Sequence, residues 1–181
     1  MTSPKDPPAA VDYWTFVDHA ATTLPKLHPG ADVTANQVLL ALNRTSALVT
    51  RHLESTVHRP HGNSWATYRI LFVIWMHGPL TTNHLAHLSG TTKAGISNLT
   101  GPLVERGFLE KRPSPHDGRS RVLALTDAGH THISEMFAEQ NRAESRWSAT
   151  LTPIERDLLL ALLQKLNASE PAHEARSDPP H

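Results

Sequence analysis

The sequence predicts a mainly α fold that carries a single β-hairpin, and three observations lead to it. Two short helical patterns, Thr82 to Leu88 and Thr91 or Thr92 to about Arg106, are split by a turn at Ser89-Gly90. A hairpin pattern follows from Phe108 to Leu125, with a basic tip at Asp117-Gly118-Arg119-Ser120-Arg121. Longer amphipathic patterns flank this block on both sides, and no other segment reads as a strand. That order is a winged helix-turn-helix with a two-stranded wing, plus N- and C-terminal helices that form a dimerisation region.

The elements follow in chain order. Residues 1–9 are Pro-rich and predict a disordered tail. Val11 to Leu27 carries Tyr13, Phe16, Val17, Ala20 and Leu24 at helical spacing, and Pro25 is expected to end or kink that helix. Thr34 reads as the N-cap of a long helix to about His58, with Val38, Leu42, Val49, Leu53 and Val57 as its stripe. Pro60-His61-Gly62-Asn63 breaks the chain, so residues 10–63 form the N-terminal dimerisation segment.

Residues 64–126 form the winged domain. Ser64 caps a helix from Trp65 to His77 that is apolar nearly all round, the mark of a central, buried helix, and Gly78-Pro79 ends it. Leu85, Ala86 and Leu88 point inward from the next helix. In the one after it Ile96, Leu99 and Leu103 point inward, with Gly107 as the stop. Gly101-Pro102 predicts a bend or break there, because Pro removes an amide donor and clashes with the carbonyl four residues back. Thr126 starts a helix to about Ala149. Thr152-Pro153-Ile154-Glu155 is a capping box with Pro at the first helical position, and it opens a helix with Ile154, Leu158, Leu162 and Leu166 on one face. These two helices (127–169) complete the dimerisation region, and residues 170–181 predict a second disordered tail.

Composition narrows the function. The 181 residues suit one domain, or one domain with an oligomerisation element. A hydrophobic fraction of 39% is low enough to leave part of the core to a partner. No apolar run reaches the length of a membrane span, and the start lacks a signal-peptide layout, so a cytoplasmic protein is expected. The absence of Cys excludes disulfides, thiolate catalysis and Cys-type zinc sites. Net charge is zero with neutral His, so nucleic-acid binding must come from local charge. Between His84 and Thr126, six basic residues (Lys93, Arg106, Lys111, Arg112, Arg119, Arg121) face three acidic ones (Glu105, Glu110, Asp117). That excess draws phosphate, and a dimer doubles it.

With those residues in view, the chain resembles the MarR family of transcription regulators over roughly Thr34 to Asn167. The resemblance rests on Leu85-Ala86-His87-Leu88, on Leu103 with Gly107, and on Asp117, Arg119, Leu125, Thr126 and Gly129 in the wing. It implies a homodimer with interlocked terminal helices, bound to double-stranded DNA. It also implies a small effector, often phenolic, held between the dimer helices and the winged domain. No cofactor is implied.

Side-chain chemistry supplies the candidate contacts. Lys93 and Asn98 can bond base edges, while Thr91, Thr92, Ser97 and Thr100 can reach bases or phosphates. Arg119 at the hairpin tip suits a narrow minor groove, with Asp117 holding it in place. Lys111 and Arg121 are phosphate neighbours. Trp65, Tyr68, Arg69 and Phe72, with His52, are the candidate pocket for a planar effector, in which Arg69 can meet a carboxylate or phenolate.

Thirteen His raise a zinc-responsive alternative through His84 and His87, His58 and His61, or His130 and His132. None of these pairs shows a closed ligand spacing, so no metal site is assigned. A protein-interaction module on the same fold is the other alternative. Catalytic signatures are missing: no Gly-x-Ser-x-Gly, no phosphate-cradling Gly loop, no paired carboxylates, so no enzyme is expected.

Overall fold

The computed structural model describes residues 12–113 and 121–177. They fall into two compact units, one up to Thr50 and one from Arg51 onward.

The first unit holds α1 (Tyr13–Leu27) and most of α2 (Val33–Leu53). Asp12 caps α1 by accepting from the Trp14 amide at 3.0 Å. Pro25 neither ends nor breaks α1. It sits in the last turn, where its missing amide costs a single bond, and the His28 amide still closes onto Leu24 O. The cap of α2 is Asp32, not Thr34, since Asp32 Oδ1 accepts from the Ala35 amide at 2.9 Å. Tyr13 donates to Leu40 O at 2.7 Å, and the Arg44 guanidinium lies over its ring. Val17 is buried, whereas Trp14, Phe16, Val38, Leu39 and Leu42 are exposed.

In the second unit α2 does not run regularly to His58. It widens into a π-helical turn over Glu54–His58, where the Arg59 amide reaches back to Glu54 O. The wider turn buries both Val57 and His58. Ser64 and Thr67 then form a reciprocal capping box that starts α3 (Trp65–His77). Tyr68, Ile70, Leu71 and Ile74 of α3 are buried, and α3 packs against the helices Thr82–Ser89, Lys93–Glu105 and Asp127–Ser148 and against the strand Arg121–Leu125, as expected of an all-round apolar helix. Gly78, at φ 86°, terminates it.

Next come β1 (Leu80–Thr81), α4 (Thr82–Ser89), α5 (Lys93–Glu105), β2 (Leu109–Pro113) and β3 (Arg121–Leu125). The antiparallel order is β1-β3-β2, with Leu80 opposite Leu123 and Lys111 opposite Leu123 on the other side. The two-residue β1 is a strand the sequence pattern did not show. The core gathers Leu80, Leu85, Ile96, Leu103, Leu109, Ile133 and Met136.

Then follow α6 (Asp127–Ser148), α7 (Pro153–Asn167) and α8 (Glu170–Ser177). α7 opens on the expected Thr152–Glu155 capping box, and Glu155 is held below its usual carboxylate range by the bonds to Thr152. The expected disordered tail is corrected over residues 170–177, which are helical. Pro171 lies in the first turn, where its missing amide is harmless, and Glu170 sits at the favourable end of the helix dipole. The N-terminal tail and residues 178–181 lie outside the described residues.

Candidate nucleic-acid interface

The helix-turn-helix is built from local caps. The Thr81 hydroxyl accepts from the His84 amide to start α4, and Gly90, at φ 61°, ends it in the left-handed conformation. Leu85 is fully buried, but Leu88 is exposed, against expectation. The second inward position is Ser89, four residues after Leu85, whose buried hydroxyl donates to Leu85 O at 2.6 Å. Thr92 caps α5, its hydroxyl accepting from the Gly95 amide at 3.0 Å. Thr91 is half-buried, with its hydroxyl 3.4 Å from Ser89 O. Both threonines therefore serve the turn.

α5 runs unbroken through Gly101-Pro102, so the expected break is corrected. Pro102 is exposed, and Ile96, Thr100 and Leu103 anchor the helix on both sides of it. Thr100 is thereby corrected too. At 3% exposure it belongs to the buried stripe and cannot reach DNA. Lys93, Ser97 and Asn98 are exposed along the opposite side and the helix start. They offer an ammonium, a hydroxyl and an amide to an approaching ligand.

The wing is anchored at its base. The Thr126 hydroxyl donates to Gly107 O at 2.6 Å and accepts from the Gly129 amide at 3.0 Å, which caps α6. A Cβ on Gly129 would lie 2.1 Å from Phe108 O, so only Gly permits this approach. These bonds explain the Leu125-Thr126-x-x-Gly129 spacing physically. Lys111 and Arg121 are exposed on one face of the β2–β3 ladder, two residues apart in register, since Lys111 pairs with Leu123 and Arg121 with Pro113. On the other face Arg112 is paired with Glu110. Asp117 and Arg119 lie outside the described residues.

Arg106, counted above among the cations, is committed to structure. It donates to Gly62 O at 2.7 Å and His61 O at 3.1 Å, and stacks over Phe108.

A cleft of about 250 Å³ opens beside α3. Trp65, Tyr68, Arg69 and Phe72 line it, as expected, and Val73 joins them. His52 does not line it: its ring packs edge-on against Trp147. α6 contributes Phe137, Gln140 and Glu144, which sequence reasoning missed. The signal was present in the Ile133, Met136, Gln140, Ala143 spacing, which turns that side of α6 toward α3. The aromatic rings stack in series, Tyr68 on Phe72 at 5.8 Å and Phe72 on Phe137 at 5.8 Å. Burial, helped by Glu144, raises the Tyr68 phenol above its usual range and keeps it neutral. Arg69 lines the cleft and also donates to Ser89 O in the helix-turn-helix turn.

The family model described as "MarR family" matches residues 61–120, from the loop before α3 into the wing. The chain is 28% identical to the uncharacterized HTH-type transcriptional regulator YwaE of Bacillus subtilis, over 82% of this chain and 88% of that protein. It is 33% identical to the transcriptional repressor MprA of Escherichia coli K12, over 42% of this chain and 44% of that one. Its fold matches Bordetella bronchiseptica BpsR, whose DNA binding is regulated by 6-hydroxynicotinic acid, with a TM-score of 0.65 at 21% identity. That match covers 72% of this chain and 98% of BpsR.

The chain is thus similar to the MarR family of DNA-binding transcription regulators, over residues 61–120 by the family model and over most of its length by YwaE.

Three of the histidines, His58, His61 and His132, are held by packing or pairing. His58 is fully buried between Trp65 and Tyr68, and its Nε2–H donates to Gln140 Oε1 at 2.6 Å. Burial lowers its pKa. His132 stacks on Phe108, accepts from Asn63 Nδ2 at 2.7 Å, and is also lowered by burial, then by Arg106. His61 faces Glu139 at 3.2 Å. Among the described residues no three His, Asp or Glu converge as metal ligands. Nor is any described helix long and apolar enough to cross a membrane.

Proposed function

We propose that this chain is a homodimeric repressor that binds a pseudo-palindromic operator and is released by a small aromatic or phenolic effector. The observation that carries the DNA reading is α5, which is capped by Thr92, anchored by Ile96 and Leu103, and exposes Lys93, Ser97 and Asn98. These residues read the major groove, and Lys111, Arg121 and Arg119 of the wing hold phosphate and minor groove. Two-fold symmetry sets the half-sites about one helical turn, roughly 10 bp, apart.

Exposed apolar rows support the dimer. Ile154, Leu158, Leu162 and Leu166 of α7 are all exposed, as are Trp14 and Phe16 of α1. A lone chain gains nothing from such rows, and a second copy buries them. The aromatic cleft supports the effector, and BpsR offers a structural parallel in which a hydroxylated aromatic acid regulates DNA binding. MprA, a repressor, supports the direction of control.

The test is selection from a random duplex library with the native protein and with a Lys93→Ala/Asn98→Ala variant. A palindrome enriched by the native protein and lost by the variant is the expected result. No enrichment above background would replace this reading with a protein-interaction module.

A further inference from the structure

We propose that Asn63, Arg106 and His132 form a lock that positions the end of α5 and the start of the wing, and that a proton on His132 opens it. The inference rests on the DNA reading above and goes beyond it, since the signal is acid, received by the winged domain and α6 themselves.

The lock lies where α5 hands over to β2. Arg106 is the C-cap of α5, and its guanidinium reaches back to the loop before α3. It donates to Gly62 O at 2.7 Å, to His61 O at 3.1 Å and to Asn63 Oδ1 at 3.4 Å. Phe108, two residues on, holds that guanidinium against its ring, and the His132 ring stacks on it at 4.0 Å. Asn63 joins the parts. It is buried, and its Nδ2 donates to His61 O at 3.1 Å and to His132 Nε2 at 2.7 Å. One side-chain amide thus connects the loop, the end of α5 and α6.

The orientation of that amide is set from both sides. Its oxygen faces an Arg106 donor and its nitrogen faces the His61 carbonyl, so His132 presents a lone pair at Nε2. The ring is then neutral, with its proton on Nδ1. A second proton goes to Nε2 and turns the acceptor into a donor, so that two N–H groups face each other. Turning the amide over would offer Oδ1 to that proton. It would also set Nδ2 against the Arg106 donor and Oδ1 against His61 O. Either response gives up bonds that hold Arg106 and the loop.

Charge works in the same direction. Burial opposes a cation at His132 most strongly, then Arg106 from the end of α5 and His61 from the loop. Glu135 on α6 favours it, and Glu139 of the same helix is engaged with His61. The balance holds the His132 pKa below its usual value. The closed lock therefore binds the proton more weakly than the open one, and acid favours opening. Once open, the lock no longer fixes α5 and the wing against the loop.

The test uses full-length protein and the operator recovered by selection, between pH 7.5 and 5.5 at constant ionic strength. Readouts are affinity for the operator and for a nonspecific duplex, the Asn63 side-chain amide resonances, and hydrogen exchange at Gly107 and Phe108, corrected for its intrinsic pH dependence. Those two backbone amides close the end of α5 onto Val104 O and Leu103 O. Native protein is expected to lose operator affinity about tenfold in acid, with faster exchange and moving Asn63 resonances at the same midpoint, while nonspecific affinity does not fall. His132→Gln keeps an acceptor for Asn63 and takes no proton, so its operator affinity is expected to match the native protein at pH 7.5 and to stay flat. Asn63→Asp offers a carboxylate to protonated His132, so its affinity is expected to rise in acid instead.

An equal acid loss in native protein and His132→Gln would overturn the proposal. Should His132→Gln fail to fold, a native-like slope in Asn63→Asp would overturn it equally. Exchange and Asn63 resonances that ignore acid would overturn the lock whether or not an operator is found. A chain that selects no operator, yet opens at Gly107 and Phe108 in acid, would overturn the DNA reading and leave the lock supported.

Discussion

Lys93 and Thr100 were read alike in the sequence, as polar residues of the helix that meets DNA, and the structure separates them. Thr100 lies four residues after Ile96 and three before Leu103, so helical geometry puts it in the buried stripe whatever its polarity. The period was legible, but polarity overrode it. Leu88 was misjudged the same way, since the position four after Leu85 belongs to Ser89. Lys93→Ala is expected to weaken operator binding by about 1–3 kcal/mol, while Thr100→Val leaves it unchanged, both by fluorescence anisotropy at one salt concentration. The opposite pattern would mean that α5 presents its other face. His58 yields a pH prediction. Its folded pKa is depressed by burial, so below about pH 6.5 the unfolded chain binds the extra proton and folding weakens. His132 adds to the same trend. The urea midpoint should be flat near pH 8 and fall as the pH drops through the His range, with a shallower fall in His58→Gln.

Among the elements, those with strong local chemistry were legible. Ser64, Thr126 and Thr152 each cap the helix that the sequence assigns to them, and of the two candidates Thr91 and Thr92 the second caps α5. The two-residue β1, the π-helical turn at Glu54–His58 and the short α8 were not. β1 is too short to show alternation, and the π turn is imposed by burying both Val57 and His58. The start of α8 carried a usable signal, Pro171 in the first turn, that was read as tail composition. α5 persists through Pro102 because anchors on both sides offset the lost bond to Asn98 O. Pro102→Ala restores that bond and removes the ring's clash, so it should stabilise the fold by about 1–3 kcal/mol in urea unfolding. A variant no more stable than the native protein would show that the helix has already relaxed around the ring.

For the whole molecule, the low hydrophobic fraction reads as leaving part of the core to a partner, and in the single chain the apolar row of α7 is exposed. Which copy covers which row was not legible, because hydrophobic burial is non-directional and gives no partner address. Leu158→Glu/Leu162→Glu should convert a dimer to monomers in analytical ultracentrifugation, with a large loss of operator affinity as the two half-sites become independent. A variant that still sediments as a dimer would move the interface off α7. The stack of His58 on Trp65 also makes the molecule its own optical reporter. An imidazolium quenches an indole beside it and a neutral imidazole does not. Trp65 forms part of the cleft wall as well, so its emission should dim as His58 takes a proton and shift in colour as the cleft fills. With Trp14, Trp75 and Trp147 replaced by Phe, one unlabelled fluorescence experiment follows acid and ligand as separate signals.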